Sequence, residues 1–159
     1  MNLSPLLEAV ADVEVDEGYG PVAVEVPSSS WGTAVRLARD ELGCDWFDFL
    51  SAVDEPEALV VVCHLARREP FGHLLLRTRL SREEPVVESV GDAYAGATWH
   101  ERETAEMFGV RFVGAAGEPL ELEPLLLPPG FTGHPLRKDF ALQARLDRPW
   151  PGARDRGPR

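Results

Sequence analysis

Two hydrophobic periods divide the first part of the chain. Val22-Ala23-Val24-Glu25-Val26 alternates with a period of two, which predicts a strand stopped at Pro27. After it, Trp31, Ala34, Val35, Ala38 and Leu42 recur at helical spacing, with Ser30 as the expected N-cap and Gly43 as the terminator. Leu3, Leu6, Leu7 and Val10 mark a shorter helix within 3–12. Three strand-like runs follow, at 46–53, 58–67 and 72–80. In the third, Leu74, Leu76 and Leu80 point one way, and Arg77 and Arg79 the other. The turns around Asp54-Glu55-Pro56-Glu57 and Arg68-Glu69-Pro70-Phe71 predict an antiparallel meander. Residues 85–90 add a further strand and 91–96 a helical turn. Beyond Phe112 Pro and Gly are frequent and no period survives, so the chain there needs a surface to lie on. The pattern predicts an α+β fold of two layers, helices on one side of a mostly antiparallel mixed sheet, followed by an extended C-terminal segment. The expected division is a domain over 1–112 and an extended segment with a basic tail over 113–159.

Between the two parts lies the densest run of charge, His100-Glu101-Arg102-Glu103-Thr104-Ala105-Glu106-Met107-Phe108-Gly109. Thr98 followed by Glu101 reads as a capping box and Gly109 as a C′ residue, which frames a helix of about three turns. At about 100° per residue, Glu101 shares a face with Ala97, Ala105 and Phe108, while Glu103 falls nearly opposite, between Trp99 and Met107. Arg102 and Glu106 are spaced for an i,i+4 pair. Glu101 and Glu103 therefore cannot converge on one substrate as an acid–base pair. His100-Glu101 begins the zinc-hydrolase pattern, but Thr104 stands where its second histidine belongs. Charges among apolar neighbours on both faces predict a helix covered on two sides.

About twenty residues later, Leu125-Leu126-Leu127-Pro128 leads into Gly133-His134-Pro135-Leu136-Arg137-Lys138-Asp139-Phe140. In order and spacing the two segments resemble the signature and closing segment of the 30 kDa subunit family, the C subunits, of NADH-quinone oxidoreductase (respiratory complex I). One departure is local: where the family carries a His after Phe-x-Gly, Phe112-Val113-Gly114 runs here into Ala115-Ala116. The resemblance implies a structural subunit of the hydrophilic arm, peripheral on the cytoplasmic face of the membrane, bracing the large quinone-site subunit. It implies catalysis by the complex, with FMN and iron–sulfur clusters in partner subunits, and no catalytic, cofactor or metal site in this chain. The expected partner interface comprises Glu101, Arg102, Glu103, Glu106, Met107 and Phe108, with His134, Pro135, Leu136, Arg137, Lys138, Asp139 and Phe140. Residues 134–140 are expected to be ordered by the partner. Two alternatives stay open: the equivalent subunit of an energy-converting hydrogenase or formate hydrogenlyase complex, and an independent small hydrolase.

Charge and cysteine content narrow the choice. Residues 1–133 hold 24 acidic and 9 basic side chains, and residues 134–159 hold 3 and 7, so a body at -15 carries a tail at +4. An acidic body argues against nucleic acid as a partner. The basic tail suits an acidic protein surface or anionic headgroups. Cys44 and Cys63 stand alone, without the clustered thiolates an iron–sulfur centre requires. The longest strongly apolar run, 58–63, cannot span a bilayer, so membrane association is expected only through partners. His64 reads as a core or interface histidine and His73 as a turn residue.

Overall fold

The computed structural model describes residues 1–18 and 20–141. Its elements in chain order are α1 (Ser4–Ala9), β1 (Glu14–Asp16), β2 (Val22–Glu25), a 3-10 turn (Ser28–Ser30), α2 (Trp31–Asp40), β3 (Trp46–Asp54), β4 (Leu59–Arg67), β5 (Gly72–Leu80), β6 (Val86–Glu88), α3 (Ala97–Phe108) and β7 (Arg111–Val113). Five strands form one sheet in the order β1-β2-β5-β4-β3. The predicted meander β3–β4–β5 is antiparallel throughout. β2 joins it parallel to β5, with α2 and two further strands in the crossover, so the sheet is mixed. This is the predicted α+β class.

The register places Leu50, Val61, Cys63, Leu65, Leu74, Leu76 and Val24 on the inner face. All seven are essentially buried. Against them pack Leu6 of α1 and the apolar stripe of α2, where Trp31, Ala34, Val35 and Ala38 are fully buried. Fully burying one such aliphatic side chain is worth about 1.5–3 kcal/mol, so this layer holds the helices on the sheet. Arg36 of α2 then reaches Asp92 at 3.0 Å and also pairs with Glu88, tying α2 to β6 and the loop before α3.

The structure departs from the expected elements in local detail. Ser30 occupies the N-cap position of α2, but its side chain makes no capping bond. The first helix is shorter than the 3–12 pattern, because Val10 is already extended. β1 and β7, three residues each, have no counterpart in the sequence pattern. Each is completed by a partner strand, β2 and β6 respectively, and not by a period of its own. β7 runs to Val113, one residue past the expected end of the domain. The basic tail beyond Ala141 lies outside the described residues.

Candidate functional site

Helix α3 turns Ala97, Glu101, Thr104 and Phe108 into the protein and leaves Trp99 and Glu103 exposed. Gly96 is the N-cap, and Thr98 already lies inside the helix, where its hydroxyl donates to Ala95 O at 2.9 Å. The expected capping box is therefore not formed. Glu101 is 1% exposed and faces inward. Its Oε1 accepts the Val90 N–H at 2.7 Å and its Oε2 the Ser89 hydroxyl at 2.7 Å. Burial raises its carboxyl above the ordinary range, and these two donors offset part of that. A side chain so enclosed pins the loop after β6 to α3 and is not available to a partner. Glu101 therefore leaves the predicted interface.

The other charges of α3 are not paired with each other either. Arg102 Nε donates to Glu123 O at 2.8 Å and Nη2 to Pro124 O at 2.9 Å, with its guanidinium over the Trp99 ring at 5.1 Å. Glu106 accepts three consecutive backbone N–H groups, from Leu125 at 2.8 Å, Leu126 at 2.7 Å and Leu127 at 3.4 Å. Desolvation works to raise its carboxyl, but the three donors and the nearby Arg102 outweigh it, so the net shift is downward. The i,i+4 spacing thus positions a cation for carbonyls and an anion for amides on one passing segment. A structureless segment carries many unsatisfied backbone groups, and these two side chains satisfy five of them.

The end of α3 receives the same treatment. A helix leaves its last carbonyls without intrahelical donors. Here Glu106 O is met by His134 Nδ1 at 2.9 Å, Met107 O by the Leu136 N–H at 3.1 Å, and Phe108 O by Arg137 Nε at 2.6 Å. Gly109 makes this possible. It holds φ at +73°, and a Cβ there would lie 2.4 Å from His134 Nε2. Farther on, the Lys138 N–H donates to Asp54 Oδ2 at 2.7 Å. Asp54 also pairs with Arg82, which holds its carboxyl below the usual range against the opposing effect of desolvation.

The expectation that 134–140 waits for a partner to order it is overturned by these bonds. Its backbone is bound to its own domain because the carbonyls of α3 need donors. The two conspicuous sequence segments lie together as one unit, and what they turn outward includes several large apolar side chains. Trp99 is 59% exposed, Leu126 56% and Leu136 52%, with Phe131 also exposed. Lys138 and Asp139 are exposed; Met107, Pro135 and Phe140 are partly covered, the last stacked on Phe131 at 6.0 Å.

The two residues that begin the zinc-hydrolase pattern are both engaged within the fold. His100 Nδ1 contacts the backbone of Leu50 at the edge of β3, and Glu101 is sealed in the core. Among the described residues, no group of three or more His, Cys, Asp or Glu side chains converges to hold a metal ion. Cys44 and Cys63 are both buried, which raises both thiols, Cys44 to about 11. No helix among the described residues is long and apolar enough to cross a membrane.

Comparison with known proteins identifies the family. The family described as "Respiratory-chain NADH dehydrogenase, 30 Kd subunit" matches residues 24–146. The C subunit of the NADH-quinone oxidoreductase of Moorella thermoacetica is 34% identical over 134 residues, covering 83% of this chain and 88% of that one. Its counterpart from Bordetella avium is 32% identical over 156 residues, covering 86% and 74%. Among solved structures, a chain of the membrane-bound sulfane sulfur reductase, an archaeal respiratory membrane complex, superimposes with a TM-score of 0.72 at 26% identity, covering 89% of this chain and 85% of that one. A trypsin-resistant fragment (1–134) of Nqo5 gives 0.61 at 20% identity, covering 76% and 100%, a likeness of fold. The match runs from within β2 through α2, the β3–β5 meander and the clasp between α3 and its following segment, and the chain belongs to the 30 kDa subunit family of respiratory-chain NADH dehydrogenase.

Proposed function

We propose that this chain is a structural subunit in the hydrophilic arm of a proton-translocating NADH-quinone oxidoreductase, where it braces the large subunit that forms the quinone site. It performs no catalytic step and carries no redox centre; FMN and iron–sulfur clusters belong to partner subunits. It sits peripherally on the cytoplasmic face of the membrane and is held there by the complex.

The observation that carries this reading is the clasp itself. α3 uses Arg102, Glu106 and its last three carbonyls to fix residues 123–137, and the fixed segment exposes Leu126, Phe131 and Leu136, while α3 itself exposes Trp99. A rigid, ordered backbone presenting large apolar side chains is a binding surface that loses little conformational freedom on association. Exposed apolar anchors of this size supply affinity, while Lys138 and Asp139 at the rim set orientation.

The likeness to the sulfane sulfur reductase chain favours a second reading, an equivalent subunit in a related membrane-bound energy-converting complex. Affinity purification of the tagged chain, followed by mass spectrometry, separates the two. Recovery of a quinone-site subunit together with an NADH-binding subunit supports the first reading. A large subunit recovered without an NADH-binding one moves the assignment to the second. Recovery of the chain alone, with Leu136→Asp behaving like the unmodified protein, ends both.

A further inference from the structure

Helices α1, α2 and α3 pack on the inner face of the five-stranded sheet, and the register puts Phe49, His64 and His73 on the other. His64 on β4 pairs with Leu75, and Ala66 pairs with His73, so the two histidines are diagonal neighbours on adjacent antiparallel strands. Their rings stack with centroids 5.0 Å apart and an interplanar angle of 20°. Phe49 stacks on His64 at 5.7 Å, and Phe71 meets His73 edge-on at 4.6 Å.

The hydrogen bonds fix the chemistry of the pair. Asp48 Oδ2 lies 2.8 Å from His64 Nδ1 and accepts the proton of the Nδ1–H tautomer, in which His64 Nε2 offers its lone pair. That lone pair is 3.1 Å from His73 Nδ1, which donates to it. Asp48 therefore orients an imidazole as the carboxylate of a carboxylate–histidine–metal unit does. With the Nδ1–H···Nε2 bond given up and each ring turned so that its lone pair faces a common ion about 2.0–2.1 Å away, two nitrogens 3.1 Å apart would subtend about 100° at it, within reach of a tetrahedral or cis square arrangement.

We propose that His64 Nε2 and His73 Nδ1 form a two-histidine surface site for a borderline divalent transition-metal ion, Zn²⁺ or Cu²⁺, with Asp48 orienting His64 and not itself a ligand. Binding moves the His73 proton from Nδ1 to the outward Nε2, and no net proton is released. Water completes the coordination, so the ion exchanges with solvent and is not a resident redox centre. Imidazole ligands select against Mg²⁺ and Ca²⁺, which require oxygen. Neither histidine belongs to a metal-ligand spacing in the sequence; the β4–β5 pairing creates the site.

The test is calorimetric titration of the chelator-treated full chain with CuCl₂ and ZnCl₂. The expected result is one ion per chain, with Cu²⁺ tighter than Zn²⁺ and Mg²⁺ not competing. His73→Ala, at an exposed position, should weaken Cu²⁺ binding by about tenfold or more. Asp48→Asn leaves both ligands in place and should weaken it about 10–100-fold. Paramagnetic resonance of the Cu²⁺ form should show two coupled imidazole nitrogens in the unmodified chain and one in His73→Ala. Circular dichroism confirms that each variant is folded. Absence of saturable Cu²⁺ and Zn²⁺ uptake overturns the proposal. Uptake that persists unchanged in both His73→Ala and Asp48→Asn also overturns it, by placing the ion elsewhere.

Discussion

Glu106 Oε2 accepts the backbone N–H of Leu126 at 2.7 Å, across twenty residues of chain. This bond and its neighbours turn a signature that looks like a free interaction helix into one half of an internal clasp. The first prediction concerns that clasp. In the isolated chain, the amides of Leu125, Leu126 and Leu136 should exchange slowly with deuterium, and Glu106→Ala should release the first two. Fast exchange at these amides in the unmodified chain would mean that the segment is ordered only in a complex, and the clasp would be lost as an intrinsic feature.

Glu106 should also contribute to stability in a pH-dependent way. Its folded carboxyl lies below its unfolded value, so the contribution is complete above the unfolded range and is lost as pH falls through the folded value. Hydrogen bonds to a charged acceptor are worth roughly 1.5–3 kcal/mol, so Glu106→Ala should cost about that much at neutral pH and much less in acid. Urea unfolding at neutral and acidic pH gives both numbers; an equal cost at each rules out the charged form as the source.

Glu101 should behave in the opposite sense. Its folded carboxyl is raised, so the folded protein retains a proton that the unfolded chain has released. Stability should fall as pH rises from the ordinary carboxylate range through the raised value, then level off. Glu101→Gln should remove that slope while keeping an acceptor for the Val90 N–H. If Glu101→Gln and the unmodified chain show the same pH dependence above the ordinary carboxylate range, Glu101 is not the group responsible.

Gly109→Ala attacks the same structure from the backbone. The left-handed φ costs a non-glycine residue about 1–2 kcal/mol, and the added Cβ would meet His134. The variant should melt earlier than the unmodified chain and show faster exchange at Leu136. Retention of both would mean that His134 moves aside without loosening the segment.

Arg102→Ala should act on assembly more than on chemistry. Losing its bonds to Glu123 O and Pro124 O loosens the surface that carries Leu126. Less assembled complex is expected, with turnover per complex near normal. Normal complex levels with collapsed turnover would give Arg102 a direct part in the reaction.

Much of the framework was legible in the chain. A period of two over 72–80 and a period of 3.6 from Trp31 each specify a single buried face. Burial of that face then fixes strand register and helix orientation, so the meander and the α2 layer follow from residue order. The family signature at 98–109 and the segment at 125–140 were likewise visible as residues. Tertiary structure alone decided where those side chains go. Capping boxes and i,i+4 pairs are what isolated helices do with Glu and Arg. In the folded chain Val90, Leu125–Leu127 and the carbonyls of Glu123 and Pro124 compete for the same groups, and buried or clasped backbone has the greater need of a partner. The short strands β1 and β7 depend on partners distant in sequence, as does the contact between His64 and His73. A periodicity reports which face of an element is buried; it says nothing about which distant backbone atoms arrive to meet the other.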